Sequence, residues 1–260
     1  MKKLMLFGLL LFAVPPALLA QTAEEKGLAI AREADRRDLG FGDFTARMEM
    51  ILRNRQGEES TRRLRISTLE MKHDGDKSLS VFDEPADVKG TALLTFTHKK
   101  GEDDQWLYLP ALKRVKRIAS SNKSGPFMGS EYAYEDVSSQ EVEKYTYKHL
   151  RDEPCDDKAC FVIERYPVDK NSGYTRQTVW FDRAEYRPWK IDFYDRKDSL
   201  LKTLVWRGYR QYLGQYWRAD EMFMQNHQNG KSTLLKWHDY KFRAGLRESD
   251  FTEASLKRAR

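Results

Sequence analysis

The spacing of hydrophobic residues along the chain changes once, close to Gly40. Before it, residues 22–37 carry apolar side chains at helical spacing: Leu28, Ile30, Ala31 and Ala34. Thr22 precedes this run as a capping residue, and acidic residues occupy the first turn behind it. From Phe44 to Arg53, apolar and polar residues alternate as in a half-buried strand. The pattern therefore predicts one N-terminal helix followed by β-structure.

The alternating pattern recurs towards the C-terminus, and turn-forming residues separate its segments. It predicts about eleven or more short strands, near residues 44–53, 64–71, 78–82, 91–97, 106–109, 113–118, 145–150, 161–166, 175–182, 189–194, 200–206, 216–226 and 232–242. A short helix is predicted at 138–144, capped by Ser138 or Ser139, and Phe251 and Leu256 are candidates to dock the polar tail. Consecutive antiparallel strands form a barrel or a sandwich, and periodicity does not choose between them.

One stretch, from Trp106 to Asp136, does not fit a simple strand pattern. It reads WLYLPALKRVKRIASSNKSGPFMGSEYAYED. Two strands joined at Pro110 explain its first part, because proline cannot donate to a strand ladder and marks turns. The strand pattern does not explain Phe127 and Met128, which lie in a polar loop. Such residues insert either into the protein's own core or into a ligand cavity, and both interpretations stay open.

This stretch resembles the signature of the LolA-like outer-membrane lipoprotein-sorting protein family in order, spacing and residue type. The resemblance implies a mainly β fold. It would be an open, strongly curved antiparallel β-barrel, or half-barrel, with an N-terminal helix and short helices or loops covering its concave face. The resemblance also implies that the concave interior binds lipid or acyl chains. Residues 21–260 are expected to form one such domain, since no linker, repeat or low-complexity tract interrupts them.

Residues 1–20 have the physical pattern of a secretory signal peptide. Two lysines precede an apolar run from Leu4 to Val14, and a Pro-Pro pair breaks the chain before Ala20. The run is too short to span a membrane comfortably. We expect cleavage at or close to Ala20, and a soluble protein exported to a bacterial periplasm.

The charge balance argues against nucleic acid as a partner. The chain has 46 Lys and Arg against 40 Asp and Glu, and loss of the signal peptide removes two lysines and no acids. The remaining positive excess is small, and both signs are mixed as on an ordinary solvated surface. Nucleic-acid binding would need a basic patch, and export also argues against it.

The sequence contains no catalytic or metal-binding motif. The five histidines form no H-E-x-x-H pair, and no G-x-S-x-G elbow or phosphate loop is present. Cys155 and Cys160 flank a short turn with no histidine nearby, which argues against a metal site. In an oxidising compartment they are expected to form a disulfide, with two free thiols as the alternative. We predict that the protein is not an enzyme and has no cofactor and no metal.

Methionine and large aromatic residues are frequent on the predicted strand faces. They suit a cavity that accepts variable acyl chains, although a filled β core is the alternative interpretation. The predicted lipid-binding residues are Met48, Met50, Leu64, Ile66, Leu94, Phe96, Trp106, Tyr108, Phe127, Met128, Val179, Phe181, Ile191, Phe193, Leu204, Trp206, Met222 and Met224.

Four cations, Lys113, Arg114, Lys116 and Arg117, occupy a predicted strand. A strand would point them to both faces, which suits a sheet edge where lysine blocks unwanted pairing. A functional interpretation places them at the rim of the cavity, in contact with headgroups or an acidic partner.

The resemblance and the apolar strand faces together predict a monomeric periplasmic carrier that shields the acyl chains of a lipid or lipoprotein. The resemblance implies transfer between an inner-membrane lipid exporter, for example of the resistance-nodulation-division type, and an outer-membrane acceptor. Two alternatives stay open. One is a periplasmic lipid-sensing regulatory protein of the same fold, and the other is a hydrolase of envelope lipids, whose catalytic groups would meet only in space.

Overall fold

A computed structural model of the protein describes residues 21–258, so the predicted signal peptide lies outside the described residues. Two helices, α1 (Ala23–Asp38) and α2 (Glu253–Arg258), flank thirteen strands. The strands are β1 (Asp43–Arg53), β2 (Glu59–Leu69), β3 (Lys77–Glu84), β4 (Ala92–Phe96), β5 (Asp104–Leu109), β6 (Arg114–Arg117), β7 (Tyr145–Cys155), β8 (Lys158–Pro167), β9 (Tyr174–Asp182), β10 (Pro188–Asp195), β11 (Leu200–Tyr212), β12 (Tyr216–Asn226) and β13 (Ser232–Phe242).

Helix α1 begins where the sequence predicts. The Glu25 amide donates to the Thr22 hydroxyl at 3.1 Å, and the Thr22 amide donates to the Glu25 carboxylate at 2.9 Å. This reciprocal pair satisfies amides that a helix start leaves without partners. The helix rests on β7, where a Cβ at Gly27 would lie 2.8 Å from backbone atoms of Lys148 and His149. Only glycine permits this close approach.

All thirteen strands belong to one antiparallel sheet, in the order β6-β5-β4-β3-β2-β1-β13-β12-β11-β10-β9-β8-β7. The first and last strands of the chain, β1 and β13, pair at the centre of this order. The two edges are β6 and β7, which follow each other in the chain. The sheet is strongly curved and does not close, which confirms the predicted open barrel.

The main hydrophobic cluster lies on the concave side of the sheet. It contains buried side chains from every described strand except β6, together with Ile30 and Ala31 of α1. Only the inner side of a curved sheet lets so many strands direct side chains to one cluster. The concave side is therefore the core of the protein and also the place where a cavity would form.

Two smaller clusters complete the packing. At the end of the barrel where β1 begins, Phe41 and Phe44 pack with Tyr216 and Phe242, and ring centroids of Phe44 and Phe242 lie 5.5 Å apart. Beneath α2, Phe251 and Leu256 are buried against residues of β3 and β4. The prediction that these two residues dock the tail is therefore confirmed.

The prediction of a short helix at 138–144 is wrong. Only a 3-10 turn forms, Val142–Lys144, and no side chain caps it. The reason is that tertiary contacts use the predicted capping residue. The Ser139 hydroxyl donates to Asp76 at 3.2 Å, and the Ser139 amide donates to the Thr97 hydroxyl at 3.3 Å.

Cys155 and Cys160 form a disulfide across the turn between β7 and β8, as predicted. Cys160 is fully buried in a cluster with Val162 and Trp180, separate from the main cluster. The bond therefore belongs to one hairpin and not to the concave side.

Because the disulfide closes a very short loop, Cys155→Ser is expected to lower the free energy of unfolding by only about 2 kcal/mol. Urea denaturation of both proteins measures this difference. Binding of a fluorescent fatty acid should be unchanged, since the hairpin cluster is separate from the concave side. If a folded Cys155→Ser variant lost fatty-acid binding, the separation of the hairpin cluster from the concave side would be contradicted.

Candidate functional site

Fourteen of the eighteen predicted cavity residues meet in the main cluster on the concave side. Met128, Trp206 and Met222 pack against it half-buried. The other eleven are buried within it: Met48, Met50, Leu64, Ile66, Phe127, Val179, Phe181, Ile191, Phe193, Leu204 and Met224. The structure thus brings them together, and their contact with lipid stays a prediction.

The remaining four, Leu94, Phe96, Trp106 and Tyr108, lie in the cluster beneath α2 on the opposite face of the sheet. Placing them in the cavity was wrong. Their neighbours Leu93 and Leu107 point to the concave side instead. Both faces of β4 and β5 are covered, so apolar residues follow one another and the alternation that identifies an inner face is lost.

Several residues of the main cluster were not predicted. Among them are Phe82, Leu93, Leu107, Tyr132, Ile163 and Leu235, each buried. Ile163 and Leu235 lie beside other apolar residues in their strands, so local sequence does not assign them a face. The pairing register assigns the face instead. Leu235 pairs with Met50 and Ile163 pairs with Val179, and Met50 and Val179 are both predicted inner residues.

The two sheet edges are connected by residues 118–144, here named the crossing segment, which runs over the concave side as a series of 3-10 turns. Phe127 and Tyr132 are 2% and 1% exposed in the main cluster. The Phe127 ring lies 5.9 Å from that of Phe82 on β3. Met128 and Gly129 have φ values of 50° and 76°, a tight reversal that glycine favours. The apolar pair that the strand pattern left unexplained is thus inserted into the concave side.

Polar bonds fasten the crossing segment to both walls of the barrel. The Tyr132 hydroxyl donates to a backbone carbonyl of β12 at 3.0 Å, and the Glu131 amide donates to the Thr233 hydroxyl of β13 at 3.0 Å. On the other side, the Arg62 guanidinium of β2 donates to the Met128 carbonyl. The ends of the segment continue the strand pairing, since the Ile118 amide donates to the Gln105 carbonyl at 2.8 Å and the Val168 amide donates to the Lys144 carbonyl at 3.0 Å. Between these ends the segment is attached to β2, β12 and β13 through bonds that involve side chains.

A buried ion pair adds a further attachment. Lys202 of β11 and Asp136 lie 2.6 Å apart, and each side chain is 5% exposed. Lys202 also donates to the Glu131 carbonyl at 2.8 Å, and the Tyr174 hydroxyl donates to Asp136 at 2.9 Å. Burial and the Asp136 carboxylate raise the pKa of Tyr174 well above its usual value, so its hydroxyl keeps the proton that it donates. The Ala133 amide also donates to the Asp136 carboxylate, at 2.7 Å.

The basic run lies at a sheet edge, as one of its two interpretations predicts. Arg114, Lys116 and Arg117 are exposed on β6, and Arg117 pairs with Asp104. Lys113 precedes the strand with φ of 49°, because the 3-10 turn Pro110–Leu112 ends there. Its predicted place in the strand alternation was therefore wrong. Contact of these cations with headgroups or a partner stays a prediction.

The gap between the two sheet edges is polar. A cavity of about 70 Å³ lies there, and most of the residues that line it, from the crossing segment and the neighbouring turns, are charged or polar. Close by, burial raises the pKa of Glu141 to about 7, and the Asp76 carboxylate adds to the shift. Burial also raises the pKa of Asp76 to about 6, against a hydrogen bond from Ser139.

These raised pKa values predict how stability depends on pH. A carboxyl whose folded-state pKa exceeds its unfolded value binds its proton more tightly in the folded protein. The folded state therefore binds more protons between the ordinary carboxyl pKa of 4.5 and the folded value of about 7. Stability falls as the pH rises through this interval.

Glu141→Gln is expected to raise the free energy of unfolding by about 2–3 kcal/mol at about pH 8 and to change it little at about pH 4. The variant removes the buried charge that the wild type must accommodate at high pH. Urea denaturation at both pH values measures the effect. Glu143→Gln, at an exposed neighbour, is the control and should change neither value. Equal stabilities of Glu141→Gln and wild type at the higher pH would contradict the prediction.

Within residues 21–258, no group of three or more His, Cys, Asp or Glu side chains is placed to hold a metal ion. Among these residues, no helix has the length and apolar character needed to cross a membrane. What the concave side offers is apolar contact, with few directional bonds. Such a surface suits a flexible apolar ligand better than a small polar one.

Comparison with known proteins places this fold in a family. A family model described as an uncharacterised protein matches residues 74–258. A domain from Vibrio parahaemolyticus, assigned to outer-membrane lipoprotein sorting, is 60% identical, and the match covers 90% of this chain and 99% of that chain with a TM-score of 0.89. A DUF1329 family protein from Desulfovibrio piger is 30% identical, with coverage of 90% and 99% and a TM-score of 0.85. None of the curated proteins matches the chain.

A LolA superfamily protein from Nitrosomonas europaea shares the fold at 24% identity, with a TM-score of 0.72 and coverage of 91% of this chain and 100% of that one. With this extent of identity and structural match, the chain belongs to the LolA-like outer-membrane lipoprotein-sorting protein family.

Proposed function

We propose that the protein is a periplasmic carrier that shields the acyl chains of a lipid or lipoprotein on its concave side. The observation that supports this most is how that side is covered. Besides α1, the cover is the crossing segment, which contributes no strand to the sheet and is attached through side-chain bonds such as Tyr132 to β12. Such a cover can leave without breaking a strand ladder.

The side chains beneath the cover suit a variable apolar cargo. Met48 and Met50 of β1 and Met222 and Met224 of β12 lie on the two strands that flank β13, and unbranched methionine adapts to irregular shapes. The indole N–H of Trp237 finds no hydrogen-bond partner within residues 21–258, although it is buried. It would be available to donate to an ester or amide carbonyl of the cargo.

The expected affinity matches the needs of a carrier. Each acyl methylene removed from water contributes ~0.8 kcal/mol, so a long chain supplies useful affinity that remains reversible. Displacing the crossing segment costs free energy, which lowers the net affinity for the cargo and allows its release. No catalytic step is needed, and the protein would act stoichiometrically.

In this proposal the carrier receives its cargo from an inner-membrane exporter, for example of the resistance-nodulation-division type, and passes it to an outer-membrane acceptor. The exposed cations of β6 would contact an acidic partner or anionic headgroups. A sheet edge is also where a partner strand can add, so β6 would be the side presented to a membrane protein.

Native mass spectrometry of the protein purified from the periplasm tests the proposal. We expect a bound intact lipid or lipoprotein, and uptake of a fluorescent fatty acid once that cargo is removed. A protein that carries no lipid and takes up none would contradict the carrier function. Conversion of added lipid to free acid would favour the hydrolase alternative.

A further inference from the structure

A cleft of about 750 Å³ opens beside the crossing segment, at the mouth of the barrel opposite the Phe41 cluster. The turns that follow β8, β10 and β12 form its walls, with Ser124 of the crossing segment on one side. This mouth cleft is a separate space from the polar cavity between the sheet edges. Its lining combines cations, hydroxyl groups and leucines.

Two cations of the mouth cleft, Arg196 and Lys197, have N–H donors that make no hydrogen bond within residues 21–258. Arg196 donates through Nε and Nη2 to two carbonyls of the turn before β9, each at 3.2 Å, and its Nη1 makes no hydrogen bond within residues 21–258. The Lys197 ammonium forms no ion pair within the same residues. Asp195, a carboxylate in the lining, already accepts from the Gln228 amide at 2.9 Å and from the Lys197 and Ser199 backbone amides at 2.8 and 3.0 Å. Among the charged groups of the lining, those with unused hydrogen-bonding capacity are therefore the cations.

The apolar wall of the mouth cleft connects it to the main cluster. Leu200 and Leu201 line the cleft, and Leu201 also packs against the main cluster. A ligand with a charged head and an apolar tail would therefore place its head among the cations while its tail passes Leu201 to the concave side.

We propose that the mouth cleft binds the phosphate of a lipid headgroup whose acyl chains occupy the concave side. This inference rests on the proposed function and names the class of cargo as phosphate-bearing. The Arg196 guanidinium presents planar paired donors that match phosphate oxygens, and Lys197 adds a mobile point charge. The hydroxyls of Ser124 and Ser199 are further donors at the cleft.

Lys202 couples this cleft to the cover of the concave side. It borders the cleft and at the same time holds the crossing segment through Asp136 and the Glu131 carbonyl. A phosphate in the cleft gives the Lys202 ammonium another anionic acceptor in competition with Asp136. Headgroup binding therefore weakens the attachment of the crossing segment, which the acyl chains must displace to enter the concave side.

Two ligands with the same short acyl chains test the inference: dioctanoyl phosphatidic acid and dioctanoyl glycerol, which lacks the phosphate. Calorimetry on the delipidated wild type should show the phosphate-bearing lipid binding about tenfold more tightly, the effect of one charge-assisted bond. Raising the salt concentration should reduce this preference, because the cations are partly open to solvent. In Arg196→Ala/Lys197→Ala the preference should disappear while dioctanoyl glycerol binds as in wild type.

Lys231→Ala is the matched control, at an exposed lysine of the β12–β13 turn that does not line the cleft, and it should keep the preference. Equal binding of the two lipids by wild type, or a preference that survives in the double variant, overturns the inference and leaves the carrier function intact. Inorganic phosphate binding as tightly as phosphatidic acid also overturns it, since the cleft would then serve free phosphate. Failure of both lipids to bind would instead contradict the proposed function.

Discussion

Lys202→Met is expected to lower the free energy of unfolding by about 3–5 kcal/mol, because it leaves the buried Asp136 carboxylate without its cation. Methionine keeps most of the side-chain length, so the loss reflects charge more than packing. Asp136 would keep its bonds from Tyr174 and the Ala133 amide, which do not neutralise it. Urea denaturation of wild type and variant gives the difference directly.

The control is an ion pair between β11 and β12 whose cation is on the same strand as Lys202 but is exposed. Arg210 and Asp220 lie 2.7 Å apart, but Arg210 is 69% exposed. Arg210→Met should therefore cost less than about 1 kcal/mol. Adding Asp136→Asn to Lys202→Met should recover part of the loss, since neither buried charge then remains. A loss in Lys202→Met no larger than that of the control would contradict a structural role for the buried pair.

Hydrogen exchange locates the effect. If Lys202 holds the crossing segment, the Glu131 amide, which donates to Thr233, should exchange faster in Lys202→Met. Amides in the ladder between β1 and β2 should keep the protection that global stability gives them. Uniform acceleration over sheet and segment alike would show that the pair stabilises the whole fold and not the cover.

Local patterns in the sequence sufficed for the elements that local chemistry determines. The capping residue Thr22 and the period-two segments placed α1 and most strands correctly. Local patterns failed at β4, where Ala92, Leu93 and Leu94 are all buried because both faces of the strand are covered. The inner face of such a strand depends on pairing register and on the docking of α2, and neither is written in the strand itself.

The candidate site also contains residues that local sequence identifies and residues that only the assembled fold identifies. Phe127 and Met128 were identified because apolar residues are out of place in a polar loop. Lys202 was missed, although it carries a signal: it has the parity of Leu204 and Trp206, so a lysine occupies an inward position. Its partner Asp136 is 66 residues away, and only the assembled barrel brings the two together. A lysine at such a position requires a buried acceptor.

Phe127→Ala/Met128→Ala is expected to destabilise the empty protein by about 3–5 kcal/mol and to tighten fatty-acid binding by about tenfold or more. The two side chains occupy the concave side, with Phe127 packed against Phe82 and Tyr134. Removing them creates a cavity in the empty state and removes the competitor that cargo must displace. Stability and affinity therefore change in opposite directions. A thermal melt and a fluorescent fatty-acid titration on the delipidated variant measure both.

Phe251→Ala separates this effect from general loss of packing. Phe251 is also 2% exposed, but it lies beneath α2 on the opposite face of the sheet. It should lose stability to a similar extent, about 3–5 kcal/mol, with unchanged affinity. If the double variant folds and binds the fatty acid no more tightly than wild type, Phe127 and Met128 are ordinary core residues. The carrier function would then depend on a different opening of the concave side, because the crossing segment would not be what cargo displaces.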